Sequence, residues 1–354
     1  MKIVRRKTKI IKIGDIPIGG SFPIAIQSMA KTKTADVDNT TREIKELESA
    51  GCEIVRLAIK DKLDAQAIKK IKQHCHIPIV ADIHFDWQLA IEAIENGADK
   101  IRLNPGNIYK KDQIRKVVAS LKSAKIPLRI GVNSGSVRDL NSKRLSMADR
   151  LVEGALTYAK IIEKLKFSDL VISLKASSVL DTLEAYRKIS SLCEYPLHLG
   201  VTATGLAMEG IVKSSVAIGA LLLEGIGDTL RVSLTDKSLE EVKAAKAILK
   251  ALGLRKFGPE IISCPTCGRC EIDLIKIVKE LEDKLCTLYS VLGTKPIKIA
   301  IMGCVVNGPG EAKEANIAVA FGRKEGLLFK EGEAVRKIPL ANCVDAILKE
   351  LAKL

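Results

Sequence analysis

Short runs of apolar, β-prone residues recur along the first two thirds of the chain. Most of the eight runs carry apolar side chains on both alternations, as strands buried on both faces must. The runs are IAIQSM (24–29), IVRLAI (54–59), IPIVADI (77–83), KIRLNP (100–105), LRIGVN (128–133), LVISLKAS (170–177), LHLGVT (197–202) and TLRVSL (229–234). This pattern predicts eight strands.

Segments with helical spacing lie between these runs, among them TREIKELESAG, WQLAIEAIENGAD and DTLEAYRKISSL. Two of the segments finish in Ala-Gly-Cys or Gly-Ala-Asp, where a glycine can close the helix in a left-handed conformation. Eight strand–helix units in about 235 residues fit a (β/α)₈ barrel, which typically takes roughly 250 residues. An open doubly wound sheet is the alternative, and the strand count favours the barrel.

The pattern restarts after KAILKALGLRKFG with PEIISCP, a helix (CEIDLIKIVKELEDKL), PIKIAIMGC, NIAVAFGR and a last helix (ANCVDAILKELAKL). We therefore predict an α/β protein with an N-terminal TIM (β/α)₈ barrel over residues 1–255 and a small α/β domain over 256–354. The segment LGLRKFG is a plausible hinge between them.

Composition narrows the class of protein. With 354 residues, 47% hydrophobic and 28% charged, the chain can build substantial cores. It has no run of eighteen apolar residues and no signal-peptide pattern at its basic start, so we expect no membrane segment and a cytoplasmic location. Nine cysteines, an odd number, argue against a disulfide framework and for metal or redox chemistry.

The net charge of +15 suits either nucleic acid or a small, highly anionic ligand. Aromatic residues make up only 3%, which leaves little material for base stacking, and no standard nucleic-acid module is evident. We therefore expect no nucleic-acid partner, unless the cations prove to line an exposed helix. Neither a GxGxxG after a strand nor a Walker A motif occurs, and GIGDT (225–229) reads as a tight turn before the eighth strand.

Polar residues, many of them cationic, lie at or near the carboxyl ends of the predicted strands, where a barrel binds its ligands. Burying several arginines together is costly unless an anion is present, so we predict a phosphorylated ligand with more than one phosphate. The alternative is that each arginine pairs with a local carboxylate such as Asp82. The candidate binding residues are Arg56, Asp82, His84, Arg102, Asn104, Arg129, Asn133, Ser173, Lys175, His198, Thr202, Arg231 and Ser233.

Candidate metal chemistry lies in the small domain. Cys264 and Cys267 form a CxxC, Cys267 and Cys270 form an overlapping one, and Cys304 follows another predicted strand in MGCVVNGPGEA. Zinc usually takes four Cys or His ligands in two pairs, but the distal motif supplies one cysteine and no histidine, and a dithiol leaves Cys304 unexplained. Three thiolates and an open fourth position favour an iron–sulfur cluster. We expect the remaining cysteines to be small buried residues: Cys52, Cys75, Cys193, Cys286 and Cys343.

The motifs SCPTCGR, MGCVVNGPGEA, IRLNPGNI, RIGVNSGS, SLKAS, HLGVT and GIGDTLRVSL resemble the 4-hydroxy-3-methylbut-2-enyl diphosphate synthase family nearly end to end. The resemblance implies a 4Fe-4S cluster on Cys264, Cys267 and Cys304, with Glu311 as the fourth ligand and Cys270 as a bystander. A carboxylate is a poorer match for cluster iron than a thiolate, so it can yield one iron to substrate. Asn307, in the same loop, could hydrogen-bond the reacting oxygen.

The resemblance also implies the reaction. The substrate would be methylerythritol cyclodiphosphate, opened by two single electrons from ferredoxin or flavodoxin with loss of water. Its diphosphate would contact Arg56, Arg102, Arg129 and Lys175, with Asn133, His198 and Ser233 nearby. The family also implies a head-to-tail homodimer, in which the cluster domain of one chain caps the barrel of the other.

One motif departs from the family. The family often reads HLGVTEAG, whereas this chain reads HLGVTATG at 198–205, so Ala203 replaces a glutamate. Glu209 could substitute for it, or the acid is not essential. A zinc-dependent aldolase or hydrolase, an iron–sulfur RNA-binding or regulatory protein, and a family member with another phosphorylated substrate remain alternatives.

Overall fold

The computed structural model describes residues 3–137, 145–292, 297–304, 310–311 and 313–353. The chain divides into two compact units, Met1–Arg255 and Lys256–Leu354. Among the described residues, no helix is long and apolar enough to cross a membrane.

The first unit begins with a two-stranded antiparallel hairpin that the sequence pattern did not predict, β1 (Ile11–Ile13) and β2 (Ile16–Ile18). Its isoleucines pack against apolar side chains at the beginning of barrel strands, including Ala25, Val80 and Val171. The hairpin therefore closes the amino end of the barrel, which leaves the carboxyl end for ligands.

Eight parallel strands form the barrel sheet, in the spatial order β8-β7-β6-β5-β4-β3-β10-β9. A bridge between Ile172 and Leu197 joins the two ends of this order, so the ring closes. The predicted barrel is thereby confirmed. The strands are β3 (Ala25–Met29), β4 (Ile54–Ile59), β5 (Ile79–Ile83), β6 (Lys100–Leu103), β7 (Leu128–Asn133), β8 (Leu170–Lys175), β9 (His198–Leu199) and β10 (Thr229–Leu230).

The last two strands are shorter than their apolar runs. Past Leu199 the backbone leaves the strand ladder, and the Thr202 N–H donates instead to the carbonyl of Ala176. The apolar runs therefore continue beyond the regular pairing, because the residues after the ladder are still enclosed by the barrel.

Eight helices alternate with the strands: α1 (Val37–Ser49), α2 (Lys62–Lys72), α3 (Trp87–Glu95), α4 (Lys111–Ala124), α5 (Met147–Lys164), α6 (Val179–Leu192), α7 (Ala207–Leu223) and α8 (Ser238–Ala251). Five of them begin at an Asp or Ser whose side chain accepts a hydrogen bond from the first turn. Gly51 and Gly97 follow α1 and α3 with φ of +93° and +91°, as the sequence predicted.

The second unit is a mixed five-stranded sheet in the order β11-β12-β13-β14-β15, whose first three strands are parallel. A helix-covered core includes Leu281, Phe321 and Ile347. The final hairpin, β14 and β15, was not predicted. The elements are β11 (Glu260–Ser263), α9 (Leu274–Leu292), β12 (Lys298–Met302), β13 (Ile317–Phe321), β14 (Glu325–Lys330), β15 (Glu333–Pro339) and α10 (Cys343–Leu351).

The turn before β10 gives a test of the barrel packing. Gly227 has φ of +126°, and a Cβ there would lie 2.4 Å from Cδ1 of the buried Leu199. Gly227→Ala should lower the free energy of unfolding by about 2 kcal/mol or more. Gly219→Ala, in α7 with no atom within 4 Å of the new methyl group, is the control and should be neutral or stabilising. Equal thermal midpoints for the two variants would contradict this account.

Candidate active site

The inward faces of neighbouring strands carry a row of charged side chains. Because side chains alternate along a strand, register partners on adjacent strands share a face. Asp82 on β5 pairs in register with Arg102 on β6, which pairs with Arg129 on β7. All three are at most 5% exposed, so the barrel interior holds a line of buried charges.

Asp82 lies close to two arginines and a histidine. Its Oδ1 lies 3.0 Å from Nη1 of Arg102, and its Oδ2 lies 3.6 Å from Nε of Arg56. His84, further out and partly exposed, lies 3.9 Å from the same Oδ2. Burial by itself raises the pKa of Asp82, but Arg102 and Arg56 hold that pKa well below its usual range. Asp82 is therefore a carboxylate at any physiological pH.

Arg231 has a carboxylate of its own. Its Nε and Nη2 bind the two oxygens of Glu241, from α8, at 3.0 and 2.7 Å, and its Nη1 donates to Ser233 Oγ at 3.0 Å. The local-carboxylate alternative therefore holds for Arg102 and Arg56, with Asp82, and for Arg231, with Glu241. Arg231 and Ser233 therefore form a rigid pair after β10.

Arg129 and Lys175 differ from Arg56, Arg102 and Arg231. Among the described residues, neither forms an ion pair with a carboxylate, and Arg129 Nη1 donates to the Gln27 Oε1 at 3.3 Å. Burial lowers the pKa of both groups well below its usual value, and the positive charge of Arg56 adds to the effect. Two cations that are buried without a carboxylate at ion-pair distance leave positive charge inside the barrel, which is costly unless an anion offsets it.

Glycines make room for these long side chains. A Cβ on Gly200 would lie 2.7 Å from Nζ of Lys175, and one on Gly131 would lie 2.5 Å from Nε of Arg102. Only a residue without a side chain lets the charged groups lie this close to the neighbouring strand. Gly131, within β7, and Gly200, directly after β9, thus leave the space that the side chains of Arg102 and Lys175 occupy.

His198 is held in a fixed orientation. The Tyr186 hydroxyl donates to the His198 carbonyl, and Nδ1 of the imidazole lies 2.8 Å from Thr229 Oγ1. Burial, with Arg129 and Lys175 nearby, keeps the pKa of His198 well below its usual value, so the ring is neutral. Its Nε2 is buried without a partner.

The remaining predicted residues have mixed placements. Ser173 is buried on the face of β8 that also carries Lys175, while Asn133, the last residue of β7, and Thr202, three residues after β9, are half-buried. Asn104 is buried, but its amide donates to Ser136 and its oxygen accepts from the Gly106 N–H. Asn104 therefore shapes the loop after β6.

Three residues of the interior were missed by sequence reasoning. Lys100 lies two positions before Arg102 on the same face, is fully buried, and has no hydrogen-bond partner at Nζ. Gln27 contacts Arg129, and the sulfur of Met29 lies 2.7 Å from Nη2 of Arg56. Strand alternation could have revealed Lys100, because it precedes the candidate Arg102 by two positions on one strand, but it gave no such anchor for Gln27. No local signal marked Met29 as a partner of Arg56.

The thiols of the second unit lie at one edge of its sheet. Cys264 directly follows β11 and Cys304 follows β12, and these strands are parallel neighbours. The Gly303 N–H donates to Cys264 Sγ at 3.2 Å, the kind of contact that stabilises a thiolate ligand. The exposed Cys267 has a lowered pKa because Arg269 hydrogen-bonds its sulfur. Sulfur donors of this kind suit an iron–sulfur cluster.

No set of three Cys, His, Asp or Glu side chains within the described ranges is close enough to hold a metal ion. Glu311 is exposed, and Asn307 lies outside the described residues. Of the other cysteines, Cys52, Cys75 and Cys343 are buried. Burial raises the pKa of the Cys52 thiol to about 12, which fits an unreactive core residue.

Fold and side chains together define a class: a (β/α)₈-barrel protein with a cationic site for an anion, followed by an α/β unit that carries thiols. Comparison with known families gives the rest. The GcpE TIM-barrel domain matches residues 8–246, and the GcpE protein C-terminal domain matches residues 260–353. The chain belongs to the GcpE family.

Curated relatives are similar over their whole length. A 4-hydroxy-3-methylbut-2-en-1-yl diphosphate synthase (flavodoxin) from Ruminiclostridium cellulolyticum is 53% identical over 99% of both chains. The protein of the same name from Fusobacterium nucleatum is 50% identical over 99% of this chain and 98% of its own. The resemblance recognised in the sequence is thereby confirmed.

Among solved structures, the 7,8-dihydropteroate synthase from Vibrio fischeri covers 69% of this chain and 98% of its own, with a TM-score of 0.51 and 11% identity. A likeness at this identity shows the barrel fold alone.

The charge network around Asp82 can be tested by Asp82→Asn. Because the pKa of Asp82 is depressed in the folded state, the carboxylate stabilises the fold above its unfolded pKa of about 4, and this stabilisation is lost as pH falls toward the folded pKa. At pH 7 the variant should lose about 3 kcal/mol of unfolding free energy, because two arginines lose their shared counter-charge. The difference from wild type should shrink below pH 4.

The measurement is chemical denaturation from pH 3 to pH 8. Asp149→Asn removes an exposed partner of Lys188 and is the control, which should change stability little. Added pyrophosphate should raise the free energy of unfolding of Asp82→Asn more than that of wild type, since the variant has lost a negative charge beside its arginines. An Asp82→Asn protein as stable as wild type at pH 7 would refute the role given to Asp82.

Proposed function

We propose that this chain is the enzyme that reductively opens 2-C-methyl-D-erythritol 2,4-cyclodiphosphate to 4-hydroxy-3-methylbut-2-enyl diphosphate, with two electrons and loss of water. The observation that carries the proposal is the burial of Arg129 and Lys175 inside the barrel, where no described carboxylate lies within ion-pair distance of either. A small cyclic diphosphate supplies compact negative charge of the required kind. The names of relatives about half identical to this chain support the same reaction.

The barrel residues bind and orient this substrate. Arg56 and Arg102 are positioned by Asp82, so they offer their guanidinium groups to phosphate oxygens without rearrangement. Arg129 and Lys175 provide the unneutralised charge. Arg231, engaged by Glu241, holds Ser233 in place and contributes less charge to the ligand. Asn133 and Thr202 lie at the rim, where they can reach the polar groups of the sugar-derived ring.

His198 adds no charge to the site. Its neutral ring is fixed at Nδ1 by Thr229, which leaves Nε2 inside the barrel for one hydrogen bond to substrate. A neutral hydrogen-bonding group among cations can select orientation without strengthening the binding of every anion alike.

Cys264, Cys267 and Cys304, with Glu311 as the fourth ligand, would hold a 4Fe-4S cluster. When bound, the cluster supplies electrons to the substrate one at a time. The parallel neighbours β11 and β12 bring two of the three thiols to one sheet edge, and the Gly303 N–H is available to a sulfur there. Asn307 remains a candidate hydrogen-bond donor to the substrate.

The partners follow from the same proposal. The electron donor would be flavodoxin, which is part of the relatives' name, or ferredoxin. We place the enzyme in the cytoplasm as a head-to-tail homodimer, and expect neither a nucleic-acid nor a membrane partner.

Glu209 remains the candidate for the acid that Ala203 lacks. Ala203 is exposed with φ of +52°, and Glu209 is exposed in the first turn of α7. Its Oε2 lies 3.4 Å from the position of a Cβ on Gly205, so the carboxylate borders the loop after β9. Glu209→Ala should therefore lower turnover, and normal turnover would exclude this role.

The proposed reaction is tested by anaerobic purification, iron and sulfide analysis, and turnover of methylerythritol cyclodiphosphate with a chemical reductant. We expect four irons and four sulfides per chain and formation of the linear diphosphate, because the family's cluster is 4Fe-4S. Lys175→Met should reduce kcat/KM at least tenfold while iron content is retained. Lys188→Met, an exposed lysine on α6, is the control. Zinc in place of iron, or a loaded cluster without turnover, would overturn the proposed reaction.

The homodimer is tested by sedimentation velocity of the loaded enzyme, with activity measured across the same dilution series. We expect a mass of two chains and a loss of specific activity as the dimer dissociates, because the barrel of one chain would need the cluster domain of the other. A monomer with full specific activity would contradict the dimer.

A further inference from the structure

Two thiols of the second unit meet at one glycine. A Cβ on Gly303 would lie 2.5 Å from Cys270 Sγ and 3.4 Å from Cys264 Sγ. The Gly303 N–H also donates to Cys264 Sγ. The two sulfurs therefore border the same backbone position, which must be glycine for both to fit.

Local structure brings Cys270 to this point. The Cys270 N–H donates to the Cys267 carbonyl at 2.9 Å, which turns the chain back, and the Cys270 thiol donates to the Ile272 carbonyl at 3.4 Å. Cys264 and Cys270 are both partly buried and pack against the core under α9. Cys267, between them in sequence, is exposed and bonded to Arg269. The middle cysteine of the motif thus lies apart from the outer two.

We propose that Cys264 and Cys270 form a reversible disulfide in the cluster-free chain. The oxidant is a low-molecular-weight disulfide: the Cys264 thiolate attacks one of its sulfurs and releases one thiol, and the Cys270 sulfur then attacks the mixed disulfide and releases the second. Two protein thiols lose two electrons in total, the small disulfide gains them, and the two thiol protons pass to the released thiols. The S–S bond of the small molecule breaks as the protein S–S bond forms.

The disulfide would change what the site can bind. The proposal rests on the function above only in taking Cys264 as a cluster ligand, since the bond itself needs no metal. Cys264 in a disulfide is not a thiolate and cannot bind iron, so loading must follow reduction. The bond also shields Cys264 from irreversible oxidation to the sulfinic acid. Cys270 is thus a resolving cysteine for the thiol it contacts.

The test is disulfide mapping of the full-length, cluster-free protein. The reduced protein is incubated anaerobically with oxidised glutathione, free thiols are alkylated, and the digest is analysed by mass spectrometry. We expect a Cys264–Cys270 bond as the main intramolecular disulfide, because both sulfurs already border Gly303. In Cys270→Ser, Cys264 should instead carry glutathione. Cys193→Ser, in the first unit, is the control and should leave the map unchanged.

A main bond between Cys264 and Cys267, between Cys267 and Cys270, or involving Cys304 would overturn the proposal, as would no intramolecular bond. A second readout is iron and sulfide uptake by the reduced proteins. Reduced Cys270→Ser should load as wild type does, and failure of this variant alone would make Cys270 a ligand and overturn its assignment as a resolving thiol. Failure of wild type to load would count against the proposed enzyme while leaving the disulfide map as evidence for or against the bond.

Discussion

The interior of the barrel depends on one carboxylate that holds two arginines, while other buried cations nearby have none. Asp82 orders Arg56 and Arg102, whereas no described carboxylate lies within ion-pair distance of Arg129, Lys175 or Lys100. The dehydration of these cations is completed when the barrel folds. A bound diphosphate therefore gains their attraction without again removing their water, which is why preorganised cations bind anions well. The same buried cations lower the free energy of unfolding of the barrel when no anion is bound.

The rest of the first unit can be understood as support for this arrangement. The hairpin β1–β2 packs against the amino end of the barrel, away from the carboxyl ends of the strands. Glycines 131 and 200 let long side chains lie against neighbouring strands. The Tyr186 hydroxyl binds the His198 carbonyl, and the Thr229 hydroxyl binds Nδ1 of its imidazole. The neutral ring therefore keeps its direction among the cations.

Sequence reasoning reached the barrel because double-sided apolar runs report burial directly, and it reached the cations because they interrupt those runs near strand ends. It named Asp82 as a partner of the arginines but did not reach the other partners. Glu241 binds Arg231 from the following helix, and nothing in its own neighbourhood distinguishes it from a solvated glutamate. The hairpins β1–β2 and β14–β15 were missed because their strands are short or polar on one face, so they lack the double-sided pattern. Pairing partners arise from tertiary geometry, which single-sequence patterns do not encode.

The cations of the barrel and the thiols of the second unit follow different physical rules. Guanidinium and ammonium groups keep their charge and can be fixed in advance by a carboxylate and by packing. Thiolates repel one another, so several of them converge only when metal charge compensates them. In the chain without metal, Cys264 and Cys270 pack against the core of the second unit and border Gly303 together, and these two need not be the thiols that bind metal. Cys270, the last cysteine of SCPTCGRC, therefore has its proposed role in the metal-free chain. There the packing of the sulfurs, and not metal coordination, determines which thiols lie together.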